Sequence, residues 1–468
     1  MSVSVQRDLP AMRIGSQGKR RVDYRAFWLL AFPLFLNSGV QAILNLTDSW
    51  FIGRLSTDAI AAMGALYFLI LVLVTLFGGV GMYVQTLVAQ AYGNGDRDRA
   101  VRAVRAGCWC ALLLMPLFVV LSFSGSTLLS FLQFSPAVEQ LALDYWMPRI
   151  LGGSIVIASL ALTSFFNGIG RSAVTLKVAI AIALLNIVLN EVLMFRMGMG
   201  MAGAAWATTL SLLGGLLLLL AIFLSTQTRR RFRSHQVWAP QWKTIRHLFA
   251  SGIPLGFLMT ADLTGLALFQ IMQVKLGVVP GAATQLVMVL TSTAYMPTLG
   301  IAQAGTTLVG QSIGAGSQRW AQKIGNVSIS LCVLYAVSVN ILIALNGQWL
   351  VPLFISSAGS QVEVVTALSQ RLLWLAVIYN TFNALSIGSA FCLQGAGDVR
   401  IPSFLAIALS WLVYAPLTHS LTFGSSEGFV RFLPQLGWGV WGGWSAAIVF
   451  AVMISSLLRF RWQLRANK

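Results

Sequence analysis

Apolar residues run along this chain in long blocks broken by short polar stretches. Twelve blocks of about 20 residues or more stand out, each long enough to cross a bilayer as a helix. They cover 27–52, 60–86, 103–124, 143–168, 173–195 and 202–224, then 248–274, 282–309, 324–345, 372–395, 400–422 and 438–458. The polar stretches repeat as well. Leu87-Val-Ala-Gln-Ala-Tyr-Gly-Asn-Gly95 matches Leu308-Val-Gly-Gln-Ser-Ile-Gly-Ala-Gly316, and Pro33 pairs with Pro254 at the same separation. Asn167-Gly-Ile-Gly170 echoes Gln394-Gly-Ala-Gly397, and Gly198-Met-Gly-Met-Ala-Gly203 echoes Gly437-Trp-Gly-Val-Trp-Gly442. The pattern predicts an all-α polytopic membrane protein with 12 transmembrane helices in two parallel six-helix lobes. The N-lobe spans 1–226, a basic linker 227–246, and the C-lobe 247–468. Six helices per half bring both halves in from the same side, about an axis along the membrane normal. Two such lobes facing across a cleft have the geometry of alternating access.

Composition sharpens this. Charged residues make up 9% of the chain, against about 25% in soluble proteins. The net charge of +18 could suggest nucleic acid, but topology accounts for it. With the N-terminus inside, all but six of the 31 Lys and Arg fall on the cytoplasmic side; the six are Arg54, Arg149, Arg196, Lys275, Arg371 and Arg431. Arg229, Arg230, Arg231 and Arg233 in the linker read as a topology anchor touching anionic lipid. The basic start precedes an apolar stretch too long for a signal peptide, so it reads as an uncleaved first span. Cys108, Cys110, Cys332 and Cys392 lie in apolar runs and read as packing residues. We expect a multi-pass protein of the bacterial inner membrane with both termini cytoplasmic, acting as a monomer without cofactor or nucleic-acid partner.

Three carboxylates, Asp48, Glu191 and Asp262, fall inside the apolar blocks. An acid near mid-membrane costs roughly 2.5–3.5 kcal/mol on insertion scales, so it usually lines a polar path. Asp48 lies about 30 Å along the first helix, in the outer leaflet. Asn186 and Asn190, one turn apart on the fifth helix, and Thr208 on the sixth share that depth. Together they suit a proton or a hard monovalent cation such as sodium, or equally an interhelical network that only holds the lobe together. Glu191 either lines the same cavity or meets Arg196 at the outer interface, and we favour the interface. Asp262, mid-way along the seventh helix without a cationic neighbour, suits a proton carrier or a counter-charge for a cationic substrate. On the tenth helix Tyr379, Phe382 and Trp374, with Asn380 and Asn383, combine aromatics that attract organic cations with amides; aromatics are equally common as packing residues.

The string Pro33…Asn45-Leu-Thr-Asp48-Ser-Trp-Phe-Ile-Gly-Arg54, the paired Gln-x-x-Gly-x-Gly loops, Asn186-Ile-Val-Leu-Asn190 and Gly203-Ala-Ala-Trp-Ala-Thr208 together resemble the MATE family, the multidrug and toxic-compound extrusion transporters. The likeness runs from about 25 to 458 in order and spacing. It implies a MATE/MOP-like fold and an efflux antiporter exchanging organic cations for protons or sodium. It also implies ion coupling at Asp48, Asn186, Asn190, Thr208 and Asp262, and substrate binding at Asp262, Tyr379, Phe382 and Asn383. Asn383 departs from the pattern: it stands where the NorM branch carries an Asp, which leaves the C-lobe without a complete sodium site. The alternative is a lipid-linked oligosaccharide flippase of the wider superfamily. A flippase needs cations facing the cleft to hold pyrophosphate, and the predicted spans are nearly free of Lys and Arg. A channel would show uptake that follows no ion gradient, and no nucleophile, base and orienting group suggest an enzyme.

Overall fold

A computed structural model of the protein describes residues 9–14, 19–130, 136–235, 238–354, 360–424, 428–430 and 433–466, without the side chains at 57, 60, 61, 65, 68, 137, 262, 353, 354, 360–362 and 466. Each apolar block forms a helix, as it must where lipid offers the backbone no hydrogen-bond partner. In chain order the spans are α1 (Tyr24–Gly53), α2 (Thr57–Gly93), α3 (Arg97–Phe123), α4 (Pro136–Leu151 and Gly153–Gly168), α5 (Ser172–Asn190, continued by a π turn Glu191–Arg196) and α6 (Gly200–Leu224). The second half gives α7 (Trp242–Lys275), α8 (Val278–Gly314), α9 (Gln318–Leu345), α10 (Ser360–Gly395), α11 (Arg400–Leu409, a π turn Ser410–Tyr414, then Ala415–Thr422) and α12 (Gly439–Ala466). Among the described residues eleven spans qualify singly, and α4 becomes the twelfth as a pair bent by 41°. A small hairpin, Met12–Ile14 against Arg20–Val22, precedes α1.

The Gln-x-x-Gly-x-Gly loops have a physical reason. Gly95 and Gly316 take φ of +73° and +81°, a region that favours glycine. The next residues, Asp96 and Ser317, cap α3 and α9 by accepting from the amides of Arg99 (2.8 Å) and Trp320 (3.4 Å). A Cβ on Gly93 would strike the backbone of Gln311, and one on Gly314 the backbone of Gln90. The two loops are therefore each other's packing partner.

This contact belongs to a two-fold latch between the lobes. Thr86 and Gln90 on α2 donate to the carbonyls of Gln394 (2.9 Å) and Gly395 (3.0 Å) at the end of α10. Their repeat mates on α8, Thr307 and Gln311, donate to the carbonyls of Asn167 (3.1 Å) and Gly168 (2.8 Å) at the end of α4. Gln85 adds bonds to Thr307 Oγ1 (2.9 Å) and the Gln303 carbonyl (3.1 Å). Nearby, Gly256 and Gly252 of α7 pack against the α2 backbone at Leu76 and Val80, and Gly300 of α8 against Leu34 and Phe35 of α1. All these contacts lie in the helix halves nearer the basic loops. Toward the other end lie two cavities, one in each lobe.

Candidate functional site

The N-lobe cavity, about 620 Å³, is lined by α1, α2, α4, α5 and α6. Asp48 faces it, half-buried. Behind it stand Asn186 and Asn190, both fully buried on one face of α5. Asn190 Nδ2 donates to Asp48 Oδ1 at 2.8 Å and to Asn186 Oδ1 at 3.0 Å. Thr208 Oγ1 lies 3.2 Å from Asp48 Oδ2 and 3.1 Å from the Ala204 carbonyl, with Asn186 Nδ2 donating to it at 3.4 Å. A hydroxyl has one proton, so Thr208 donates to Asp48 or to Ala204, not to both. When it donates to Ala204, its lone pair is free to accept from a protonated Asp48. Asn190 Oδ1 is buried with no donor on it. The four residues grouped from the sequence are thus in one network.

One residue that sequence reasoning did not bring to this cavity also faces it. Arg149, counted among the outer-side cations, lines it together with Tyr145 and Tyr67. The signal was present: position 149 falls inside the predicted span 143–168. What hid its place is the bend of α4 between Leu151 and Gly153, which the apolar pattern cannot report. Arg149 is thus one of the few cations within the spans, which were read as nearly free of Lys and Arg, and it faces a cavity. Glu191 opens the π turn of α5, half-buried. No ion pair joins it to Arg196 among the described residues, so the interface pairing favoured from the sequence is not formed. Arg54, at the same end, instead sits over the rings of Trp50 (5.1 Å) and Phe195 (4.8 Å).

The C-lobe cavity is smaller, about 250 Å³, and aromatic. Tyr379 and Asn383 line it as expected; Phe382 does not, and Trp374 is exposed. The Asp262 side chain lies outside the described residues. Most of the wall was not anticipated: Phe269 packs edge-on to Trp444 at 5.5 Å, Tyr379 to Trp444 at 6.4 Å, and Tyr414 stacks on Phe450 at 4.7 Å. Counting from the paired prolines would have found Phe269, since it is the repeat mate of Asp48. Tyr67 and Leu71 of α2 line both cavities and stand between them.

The arrangement of two repeated lobes with cavities at one end has known counterparts. The MatE family profile matches residues 33–192 and 254–419, most of both halves. The chain belongs to the MATE family of membrane transporters. Among its relatives is a probable multidrug resistance protein NorM of Agrobacterium fabrum, 26% identical, covering 93% of this chain and 94% of the relative. The Bradyrhizobium diazoefficiens NorM is 29% identical, covering 92% of each chain. In fold, the protein resembles a MOP superfamily transporter from Pyrococcus furiosus (TM-score 0.80, 18% identity, 94% and 95% of the two chains). It also resembles an outward-facing multidrug resistance MATE transporter (TM-score 0.79, 18% identity, with the same coverage). As a MATE member the chain is a transporter driven by an ion gradient, not an enzyme.

Proposed function

We propose that this transporter is a multidrug efflux antiporter. On this reading it exports organic cations and other toxic compounds from the cytoplasm, with protons as at least part of the driving ion. The observation that carries the reading is Asp48, a carboxylate at membrane depth facing a cavity and held by Asn190 and Thr208. The NorM relatives support the substrate class by their names. The basic loops support an inner-membrane protein with both termini in the cytoplasm. On this orientation the latch closes the cytoplasmic side and the cavities open outward. Bilayer lipid is the expected surrounding, and a monomer the working unit.

The proton assignment rests on the hydroxyl of Thr208. Its two alternative acceptors let the same heavy-atom positions hold Asp48 ionised or protonated. Sodium is the competing ion, with Asp48 supplying charge and Asn186, Asn190 and Thr208 neutral oxygens; the unpartnered Asn190 Oδ1 is the group that would join it. An ion can drive transport only through different affinity for the two conformations. Exchanging one proton for one monovalent organic cation is electroneutral, so a pH step alone supplies about 1.4 kcal/mol per unit, or tenfold in concentration. Asp262 is read as the C-lobe counter-charge for cationic substrates, sharing the substrate-binding role with Tyr379, Phe382 and Asn383.

Arg149 bears on the flippase reading, because it supplies a cation facing the cavity. One guanidinium in a cavity shared with a carboxylate is a poor match for the multiple charge of a pyrophosphate, so efflux remains the better reading. The deciding measurement is efflux of a fluorescent cationic dye from sodium-free proteoliposomes under an imposed pH step. Efflux is expected. Its absence there, with full activity restored by a sodium gradient at equal pH, overturns the proton assignment; dye movement that tracks neither gradient overturns antiport.

A further inference from the structure

The basic run of the linker is folded and docked, not strung loosely along the membrane surface. Arg229, Arg230 and Arg231 belong to a short helix, Thr226–Phe232, which ends on Arg233 in the left-handed region at φ +51°. Phe232 is buried and fixes this helix to the N-lobe. Its ring packs edge-on to Phe165 at 5.3 Å and lies 6.2 Å from the Tyr92 ring. Two arginines of α3 hold the linker backbone. Arg97 donates to the Arg231 carbonyl (3.4 Å), and Arg105 to the carbonyls of Arg233 (3.2 Å) and Ser234 (3.3 Å). Between this helix and the α2–α3 loop lies a hollow of about 760 Å³. Arg97, Arg230, Arg231 and Arg233 line it, together with Asp96 and Asp98. Arg231 is oriented by donating to the Tyr92 hydroxyl at 3.1 Å. Asp96 is engaged elsewhere: it accepts from the Arg99 amide at 2.8 Å and lies 3.9 Å from Arg102. Among the described residues no carboxylate lies within 4 Å of the guanidinium groups of Arg97, Arg230, Arg231 or Arg233.

We propose that this hollow is a binding site for a phosphate-bearing anion. Guanidinium groups from two separate segments, α3 and the linker, surround one space and outnumber its acids. A single carboxylate would occupy one guanidinium fork. A phosphate offers several acceptor oxygens to forks converging from different sides, and it carries charge to match their surplus. Two sources present this chemistry at the basic-loop end of the molecule: the headgroup of an anionic phospholipid and a soluble phosphate ester. Neither is a transported substrate here, because both cavities lie toward the other end of the helices, beyond the latch. The anion instead ties the linker helix to the α2–α3 loop. Gly93 of that loop also lines the hollow, and it packs against the Gln311 backbone of the latch. An occupied site thus braces the N-lobe half of the latch. The site does not rest on the efflux reading.

The test is binding to the purified full-length protein in a neutral detergent, read by native mass spectrometry. Cardiolipin, which carries two phosphates, and inorganic pyrophosphate serve as probes. The double variant Arg230→Gln with Arg233→Gln is expected to weaken both by about tenfold. Arg20→Gln with Arg21→Gln removes the same charge from the hairpin, and is expected to change either by less than about twofold. On the unmodified protein, excess pyrophosphate should displace cardiolipin where acetate at equal ionic strength does not, an outcome that needs no variant to fold. Half-displacement by pyrophosphate at or below the cardiolipin concentration would assign the site to a soluble phosphate ester. Half-displacement only in large excess would assign it to a lipid headgroup. Equal losses from the two charge-matched variants, no retention of either probe, or equal competition by pyrophosphate and acetate would each overturn the site.

Discussion

The two lobes share a scaffold and differ in what they put at equivalent places. Asp48 in the N-lobe corresponds to Phe269 in the C-lobe by the paired prolines, and Thr208 to Ala447 by the paired Gly203 and Gly442. The extra residue of the π turn Ser410–Tyr414 brings buried Tyr414 and Thr418 to the places of Asn186 and Asn190. A polar network on one side thus faces an aromatic cluster on the other. At the latched end the central bonds are kept: Thr86 and Thr307, and Gln90 and Gln311, make the same bonds to opposite lobes, and only the flanking pair differs, since Gln85 crosses to α8 while its mate Thr306 donates to the Phe391 carbonyl of its own lobe. Where the halves must fit each other they have stayed alike. Where each faces its own cavity they have parted, as the proposed division between ion coupling and substrate reception would require.

Substitutions can break or sharpen that division. The largest effect is expected from Asp48→Asn, which should abolish pH-driven dye efflux while the protein still inserts and binds dye. Export at the normal rate by this variant would remove Asp48 from coupling. Next comes Asp262→Asn, expected to weaken a cationic dye about tenfold more than a neutral analogue, since a carboxylate in low dielectric attracts only the charged one. Equal weakening of both would assign Asp262 to coupling or folding. Trp444→Ala should weaken dye binding by roughly fivefold through lost ring contacts and leave the pH dependence of efflux unchanged. If that pH dependence moves, the lobes do not divide the work. The smallest effects should come from Gln90→Leu and Gln311→Leu. Each removes one lobe-to-lobe hydrogen bond, about 1 kcal/mol or roughly fivefold in the balance of open and closed latch. Spin-label distances across the latch should shift by the same amount for both variants; a clear difference would show that the two halves of the latch are unequal.

How much of this was legible beforehand depends on what carried the signal. The twelve spans and the repeat were plain because bilayer thickness imposes a length and duplication imposes a spacing. The Asp48 network was legible because three helices had to bring rare polar residues to one depth, and a rise of 1.5 Å per residue fixes depth. That Arg149 faces the cavity was not legible because it depends on a bend at Gly152, where the chain changes direction without changing polarity. The aromatic wall of the C-lobe escaped because a membrane helix uses Phe, Tyr and Trp for packing as readily as for binding. Phe382 was chosen and Phe269 missed for that reason: type and spacing do not say which face of a helix meets the cavity.

The latch is built from amides, hydroxyls and carbonyls, without a charged side chain in any of the bonds described between the lobes. Those bonds hold no titratable group and nothing for dissolved ions to screen, while beside them His247 of α7 meets the Tyr83 ring of α2 at 5.8 Å and Lys323 of α9 donates to the Arg20 carbonyl at 2.7 Å. Ionic strength and acidity should therefore act on the seal through His247 and Lys323 and not through the latch bonds. On the proposed orientation the latch bonds themselves are a fixed threshold that every cycle must cross.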